Sequence, residues 1–270
     1  MATETEFKHI AIERRRHMAV ITLNRPDRLN AFNREMGLEL HAVLDQLAGE
    51  FPVTRVVIIT GAGPGFCSGA DVGDMPARMA ESGDRDPNSP DPGPSITMQL
   101  APHLRDIPQP VIAAVNGVAA GAGLGIALSC DIRLASEAAR FSSVFVKRSL
   151  VPDAGTSQIL GALAGPGIAA EMSLTGKVYD AKWALSKGLV NDVVPADELM
   201  PQAESLAQEI AANPPLAVKA VKTLQNGFHP DLHEVIVTEH QASSPLRGTA
   251  DQKEAVQAFL EKRAPKFTGS

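Results

Sequence analysis

The stretch Val111 to Asp131, VIAAVNGVAAGAGLGIALSCD, constrains this chain more than any other. It opens behind Pro110 as an unbroken apolar run, which suits a strand buried on both faces. It then turns to small residues at Gly117, Ala119, Ala120, Gly121, Ala122 and Gly123. Leu124, Ile126, Ala127 and Leu128 continue with helical spacing toward Cys130, so the stretch predicts a buried strand passing into a helix through a turn almost without side chains. A helix that starts there leaves its first backbone N–H groups unpaired near Gly121 to Gly123, with the positive end of its dipole behind them. Such donors suit negative charge on a ligand oxygen. Close packing of a helix on a sheet explains the same small residues, so the run alone leaves both readings open.

A second turn of the same kind lies upstream. Arg55 to Thr60, RVVIIT, reads as a short buried strand, and GAGPGFCSGAD follows it at once. Gly61, Gly63 and Gly65 invite comparison with a dinucleotide-binding fingerprint, but the third glycine is misplaced and Pro64 interrupts the turn. Two glycine-rich turns, each behind a buried strand, can instead converge on one oxygen.

The rest of the chain supplies the frame. Phe7 to Glu13 and His17 to Leu23 predict a hairpin about the basic turn Arg14 to Arg16, and Asn33 predicts the N-cap of a helix over Arg34 to Leu47. Asp74 to Ser95 carries five prolines and reads as a mobile flap with a short helix near Pro76 to Ala80, either a lid or a plain surface insertion. Thr97 to Ile107 is expected to be helical, Ile132 to Ala135 a strand, Phe141 to Val146 extended or irregular, and LVPDAG at Leu150 to Gly155 a turn with an acid at its tip. Helices are expected at Thr156 to Ala164, Pro166 to Leu174 and behind the cap Asp180, with a last strand at Val190 to Val194. After Ala196 every periodic segment is helical: Asp197 to Ala212, Pro215 to Gln225, Leu232 to Ala242 and Asp251 to Arg263. The expectation is an α/β core over residues 1–195 and an all-helical appendage over 196–270.

Composition narrows the function. A net charge of −6 with only 4% aromatic residues shows neither a basic stripe nor a stacking platform, which argues against nucleic acid. The N-terminus MATETEFKHIAIERRR has no apolar signal region, and no stretch approaches the roughly 20 apolar residues of a membrane span. Cys67 and Cys130 are the only cysteines and form no CxxC pair, so a reducing, cytoplasmic setting is expected.

The strings GPGFCSGADV, PVIAAVNGVAAGAGLGIALSCDIRLASEAARF, TGKVYDAKWALSKGLVNDVV and AFLEKRAPKFTG, in this order from about Arg25 to Gly269, resemble the enoyl-CoA hydratase/isomerase, or crotonase, superfamily. The resemblance implies a ββα superhelix with a C-terminal all-helical trimerisation region. It also implies homotrimers or dimers of trimers, and an acyl-CoA thioester as ligand with no cofactor beyond the substrate's own coenzyme A. Carried over, its oxyanion-hole donors fall on the backbone N–H groups of Ser68 and Ala122. Arg28, Leu29, Cys67, Gly69, Ala70, Asp71, Gly121, Gly125 and Phe145 fall on substrate-binding positions, and Lys262 and Lys266 would reach the nucleotide of a neighbouring subunit. Losing one such backbone donor in other enzymes costs about 3 kcal/mol of barrier, so this would be a main catalytic contribution.

Departures from the pattern bear on the reaction. Hydratases of the superfamily carry glutamates at the positions of Gly125 and Phe145, and both acids are missing here. Adding water across a double bond needs a base for the water and an acid for the carbon, which two carboxylates supply. One carboxylate remains, Asp153, at a position where several double-bond isomerases of the superfamily carry an aspartate, with the epoxyphenylacetyl-CoA and 3,2-enoyl-CoA isomerases most similar in motif. A single base suffices to move a proton between two carbons through a shared enolate, so isomerisation is favoured over hydration. Hydration, a hydrolytic reaction and non-catalytic thioester binding are the competing readings. Asp153 as a mere helix cap, Asp71 and Asp131 as structural acids, His103 at the cleft or on an exposed helix, and His229 with His233 as an incomplete metal pair are the remaining expectations.

Overall fold

The computed structural model describes residues 7–71, 73, 93–227 and 231–268. The expected flap lies outside the described residues apart from 73 and 93–95. Ten strands run in chain order as β1 (Ile10–Arg15), β2 (Met18–Leu23), β3 (Val56–Gly61), β4 (Gly65–Cys67), β5 (Val111–Val115), β6 (Val118–Ala120), β7 (Ile132–Ser136), β8 (Arg140–Ser142), β9 (Tyr179–Asp180) and β10 (Asp192–Val194). They form two sheets, β1-β2-β3-β5-β7-β10 and β4-β6-β8-β9. The pairs β3/β4, β5/β6 and β7/β8 each deal their first strand to the large sheet and their second to the small one. Neighbours within each sheet are parallel except β1 with β2 and β8 with β9. Three turns of this spiral stack one above another, as expected of a crotonase-like α/β fold.

Both faces of the inner strands β2, β3, β5 and β7 are buried, which is why they read as apolar runs rather than alternations. Val57, Ile59, Val111 and Ala113 point into the main core with Leu40, Leu44 and Leu47 of α1 (Arg34–Gly49). Val56, Ile58, Ile112 and Ala114 point the other way and are covered by Leu199, Ala203, Ala207 and Ala211. Each such aliphatic side chain contributes roughly 1.5–3 kcal/mol on burial. Asn33 caps α1 as expected, its side chain accepting the Met36 N–H at 2.9 Å.

The remaining helices are α2 (Leu100–Asp106), α3 (Ala122–Ser129), α4 (Thr156–Ala164), α5 (Pro166–Thr175), α6 (Ala181–Ser186), α7 (Leu199–Ala211), α8 (Pro215–Asn226), α9 (Leu232–Ser243) and α10 (Ala250–Leu260). Two expectations need correction. The run between β5 and α3 is not a bare turn but contains β6, whose three small residues let the second sheet pass close beneath α3. The helices after residue 195 are also more than an appendage. Helix α7 forms the outer cover of the large sheet, and Arg55 donates to the Ala211 carbonyl at 2.8 Å. None of the described helices is long and apolar enough to cross a membrane.

Candidate active site

The two glycine-rich turns meet. A side chain on Gly121 would lie 3.6 Å from the Gly69 Cα, and one on Gly69, whose φ is +107°, would lie 3.1 Å from the Ala120 carbonyl oxygen. At Gly123 the fit is closer still, since a Cβ there would fall 2.1 Å from the Cys67 carbonyl oxygen, so only glycine lets α3 approach β4. Two asparagines, one of them buried, shape the upstream turn. Asn116, between β5 and β6, donates to the carbonyls of Gly61 and Gly63 at 2.9 Å and accepts the Gly61 N–H at 3.1 Å. Asn30, fully buried, donates to Ala62 at 2.9 Å and Gly65 at 2.7 Å. Sequence reading passed over both asparagines.

Local hydrogen bonding decides which N–H groups are available. The Ser68 N–H donates to the Leu29 carbonyl at 3.0 Å, so Ser68 is not the free donor expected of it. Gly69 O accepts from Phe32 N–H at 2.7 Å and Asp71 N–H donates to Phe32 O at 2.9 Å; strand alternation therefore turns the intervening Ala70 N–H away from Phe32. The N–H that this pattern leaves unengaged is that of Ala70, two residues beyond Ser68. On the other turn Gly121 N–H donates to Ser142 O at 3.1 Å, and the first intrahelical bond runs from Gly125 to Gly121. Helix α3 therefore begins with the N–H of Ala122, which has no partner within the helix and no side-chain cap in front of it.

The two positions expected to carry glutamates are Gly125, within α3, and Phe145, after β8. Phe145 is buried, and its ring edge would lie 3.9 Å from a Gly121 side chain. A Cβ on Gly125 would come within 3.0 Å of the Ala154 Cβ and 3.1 Å of the Thr156 hydroxyl, so the turn carrying Asp153 occupies the room a longer residue would need. Asp153 as a residue is half-buried, but its Oδ1 is sealed from solvent and has no hydrogen-bond partner. Thr156 Oγ1 beside it is equally sealed and unpartnered. Burial first, and the negative charge of Glu239 second, push the Asp153 carboxyl up to about 7. Asp153 does not cap α4. Its backbone carbonyl accepts from Thr156, and the cap comes from Glu239 of α9, which accepts the N–H of Gly155 at 3.0 Å and of Ser157 at 3.1 Å.

Other expected residues fall as follows. Arg28 and Leu29 are exposed above the upstream turn, where the Arg28 carbonyl accepts from Ser68 Oγ at 3.3 Å. Asp71 is a structural acid: Arg25 Nη2 meets it at 2.7 Å and Gly73 N–H at 3.0 Å. Burial alone would raise its carboxyl, but the Arg25 and Gly73 hydrogen bonds, with the charges of Arg25 and Arg28, hold it below the ordinary range. Asp131 is likewise structural, held by Val111 N–H at 2.7 Å, Lys222 Nζ at 3.1 Å and Arg105 at 3.7 Å. Burial pushes the Cys67 thiol to about 12, which removes it as a nucleophile. His103 faces α1 rather than the cleft or solvent, stacked on His41 with their Nδ1 atoms 2.7 Å apart. His233 pairs with Asp106 at 3.2 Å, and His229 lies outside the described residues. Lys262 and Lys266 are exposed beyond α10, where Lys266 N–H bonds Glu254 at 2.8 Å.

The geometry brings together two backbone donors, an apolar wall and one under-solvated carboxylate. The enoyl-CoA hydratase/isomerase family model matches residues 13–270. A 1,2-epoxyphenylacetyl-CoA isomerase of Escherichia coli is 36% identical over 255 residues, covering 92% of this chain and 94% of that protein. A short-chain-enoyl-CoA hydratase of Clostridium acetobutylicum is 37% identical over 260 residues, covering 96% and 97%. The crystal structure of an enoyl-CoA hydratase from Mycobacterium avium subsp. paratuberculosis superposes with a TM-score of 0.85 at 31% identity, covering 97% of this chain and all of that one. Relatives at equal distance thus perform both reactions, and what they share is the fold and the acyl-CoA chemistry: this chain belongs to the enoyl-CoA hydratase/isomerase family.

Proposed function

We propose that the protein is a double-bond isomerase of enoyl-CoA thioesters, with Asp153 as its single proton shuttle. The observation that carries this reading is the state of Asp153: a sealed carboxyl oxygen without a partner, next to a wall where Gly125 and Phe145 offer no second acid. In the proposed reaction the thioester oxygen accepts hydrogen bonds from the N–H groups of Ala122 and Ala70. Asp153 takes a proton from C2 of a 3-enoyl-CoA. The electron pair delocalises into a dienolate held by the two donors, and Asp153 returns the proton to C4, leaving the 2-enoyl-CoA. No water is added and no separate cofactor is used. A base titrating near 7 serves both halves of the transfer, since it accepts and releases a proton with little loss in either direction.

Arg28 and Leu29, above the upstream turn, are proposed to bind the coenzyme A part of the substrate, with Lys262 and Lys266 of a neighbouring subunit. Assembly as a homotrimer, alone or paired, is part of the same proposal. It is supported by exposed apolar side chains on the outer helices, with Leu174 76% and Leu224 75% exposed. Light scattering on the purified protein tests it.

The reaction is tested by incubating the protein in deuterated water with a 3-enoyl-CoA and, separately, a 2-enoyl-CoA, and following products by mass and NMR. Positional isomerisation without gain of water is the expected result. Formation of 3-hydroxyacyl-CoA would replace the reading by hydration with Asp153 handling water alone, release of free coenzyme A by hydrolysis, and binding without conversion by a carrier role.

A further inference from the structure

Asp153 stands on an unfavourable turn. Ala154 has φ +50° and Gly155 φ +76°, two successive left-handed residues, and a side chain in place of Gly155's hydrogen would fall 3.0 Å from Ile159 and 3.2 Å from Ala101. An L-alanine in that region costs roughly 1–2 kcal/mol, so something outside the turn must hold it. Helix α4 starts at this turn with no side-chain cap of its own. The missing partner arrives from α9, more than eighty residues later in the chain. Glu239 is 4% exposed, and its two carboxylate oxygens take one N–H each, from Gly155 and from Ser157.

Resting on the isomerase reading above, we propose that Glu239 is a positioning residue for Asp153: its buried carboxyl group clamps the turn that presents Asp153 beside Gly125, and it sets a second acid behind that one. A carboxylate is an unusual choice for a helix cap buried this deeply, where an asparagine or serine would satisfy an N–H without the cost of burying charge. The charge becomes intelligible if it acts on its neighbour. Like charges disfavour ionisation of both, so Asp153 keeps its proton to a higher pH and, once ionised, is a stronger base toward the C2 proton. Among the described residues, the other charged groups on the elements around the turn are exposed, as Glu234 of α9 is, or engaged elsewhere. Helices α3 and α4 contain no ionisable residue. On α9, His233 is engaged with Asp106 and His240 meets Arg247 at 3.2 Å, and on α2 Arg105 turns toward Asp131. Arg148, in the turn after β8, lies over the Phe259 ring at 4.1 Å.

The test reads Asp153 directly and does not depend on turnover. In protein labelled with 13C at the aspartate carboxyls, the Asp153 signal is identified by its loss in Asp153→Asn and titrated in wild type, Glu239→Gln and Glu239→Asp. Wild type should titrate at about 7. Glu239→Gln should titrate below that, burial still holding it above the ordinary carboxyl range, and Glu239→Asp, which keeps the charge but shortens the reach, should stay near the wild-type midpoint. With 3-enoyl-CoA as substrate, the rising limb of the pH profile should move with the NMR midpoint in Glu239→Gln. In Glu239→Asp kcat should fall about 10²-fold through misplacement of the base, with the limb unmoved. A Glu239→Gln protein whose midpoint and limb stay at the wild-type position overturns the inference. Should Glu239→Gln fail to fold, the decision passes to Glu239→Asp: a lowered midpoint or an unchanged kcat overturns it. If wild type does not isomerise at all while Glu239→Gln still lowers the Asp153 midpoint, the isomerase reading fails and the coupling between the two acids stands.

Discussion

Asp131 and Asp153 flank the same short helix, α3, and could hardly be treated more differently. Asp131 follows its C-terminus and is surrounded by donors: a backbone N–H at 2.7 Å, the buried Lys222 ammonium at 3.1 Å and the Arg105 guanidinium at 3.7 Å. These cations also cover the carbonyls at the helix end, with Arg105 and Arg133 donating to Leu128 and Cys130. Asp153, packed against the middle of α3 through Ala154, has an orphaned oxygen and another carboxylate for a neighbour. An acid that holds a fold together is given its hydrogen bonds, whereas an acid that must hand over a proton is left short of them. The contrast separates structural from chemical carboxylates where residue type and burial alone do not.

Substitutions at the two acids should therefore break different things. The largest effect is expected at Asp153→Asn, which removes the proposed base. Isomerase turnover should fall about 10²- to 10⁴-fold in a steady-state assay while the circular dichroism spectrum is unchanged. Asp131→Ala strands the Lys222 and Arg105 charges in the interior. Chemical denaturation should show a loss of about 3–5 kcal/mol, with activity retained in whatever fraction remains folded at low temperature.

Stability should also respond to pH through Asp153. The Asp153 carboxyl is raised in the folded protein from an ordinary 3.8 to about 7, so its stabilising balance is complete below pH 3.8 and is lost as pH climbs through 7. At about 1.4 kcal/mol per pH unit the ceiling on this loss is about 4 kcal/mol. Asp153→Asn should consequently melt above wild type at pH 8 and together with it near pH 4, a gain in stability from the substitution that stops catalysis. A wild type that melts higher at pH 8 would place Asp153 with Asp131 among the satisfied acids. The smallest expected effect is at Gly125→Ala. Its Cβ would press to 3.0 Å from Ala154, costing about 1–3 kcal/mol by overpacking and lowering kcat by displacing the Asp153 turn.

What the sequence made legible followed local rules. The Asn33 cap of α1, the Asp180 cap that accepts Trp183 N–H at 2.8 Å, and the apolar strands β3, β5 and β7 announce themselves within a few residues. The small sheet did not, because β4, β6 and β8 are three residues each and look like glycine-rich turns, too short to show a period of two. At the site, the convergence of two glycine turns and the isolation of Asp153 could be read from motif and departure. Ala70 was missed in favour of Ser68 because the choice depends on which N–H the Leu29 carbonyl takes, a tertiary contact between residues 39 apart in the chain. Glu239 was invisible for the same reason, its partners lying 82 and 84 residues away. Lys222 reads as one more cation on a surface helix, yet it is 5% exposed and bonded to Leu104 O, Gln109 O and Asp131.

Lys222 and Glu239 come from the last fifty residues of the chain, while both glycine turns and Asp153 are made in the first 155. During synthesis at the ribosome the donors and the acid therefore exist well before the groups that pin them. A nascent chain that stops short of α9 has the Asp153 carboxyl on an unclamped turn, and the site matures only once α8 and α9 have been made and have closed behind it.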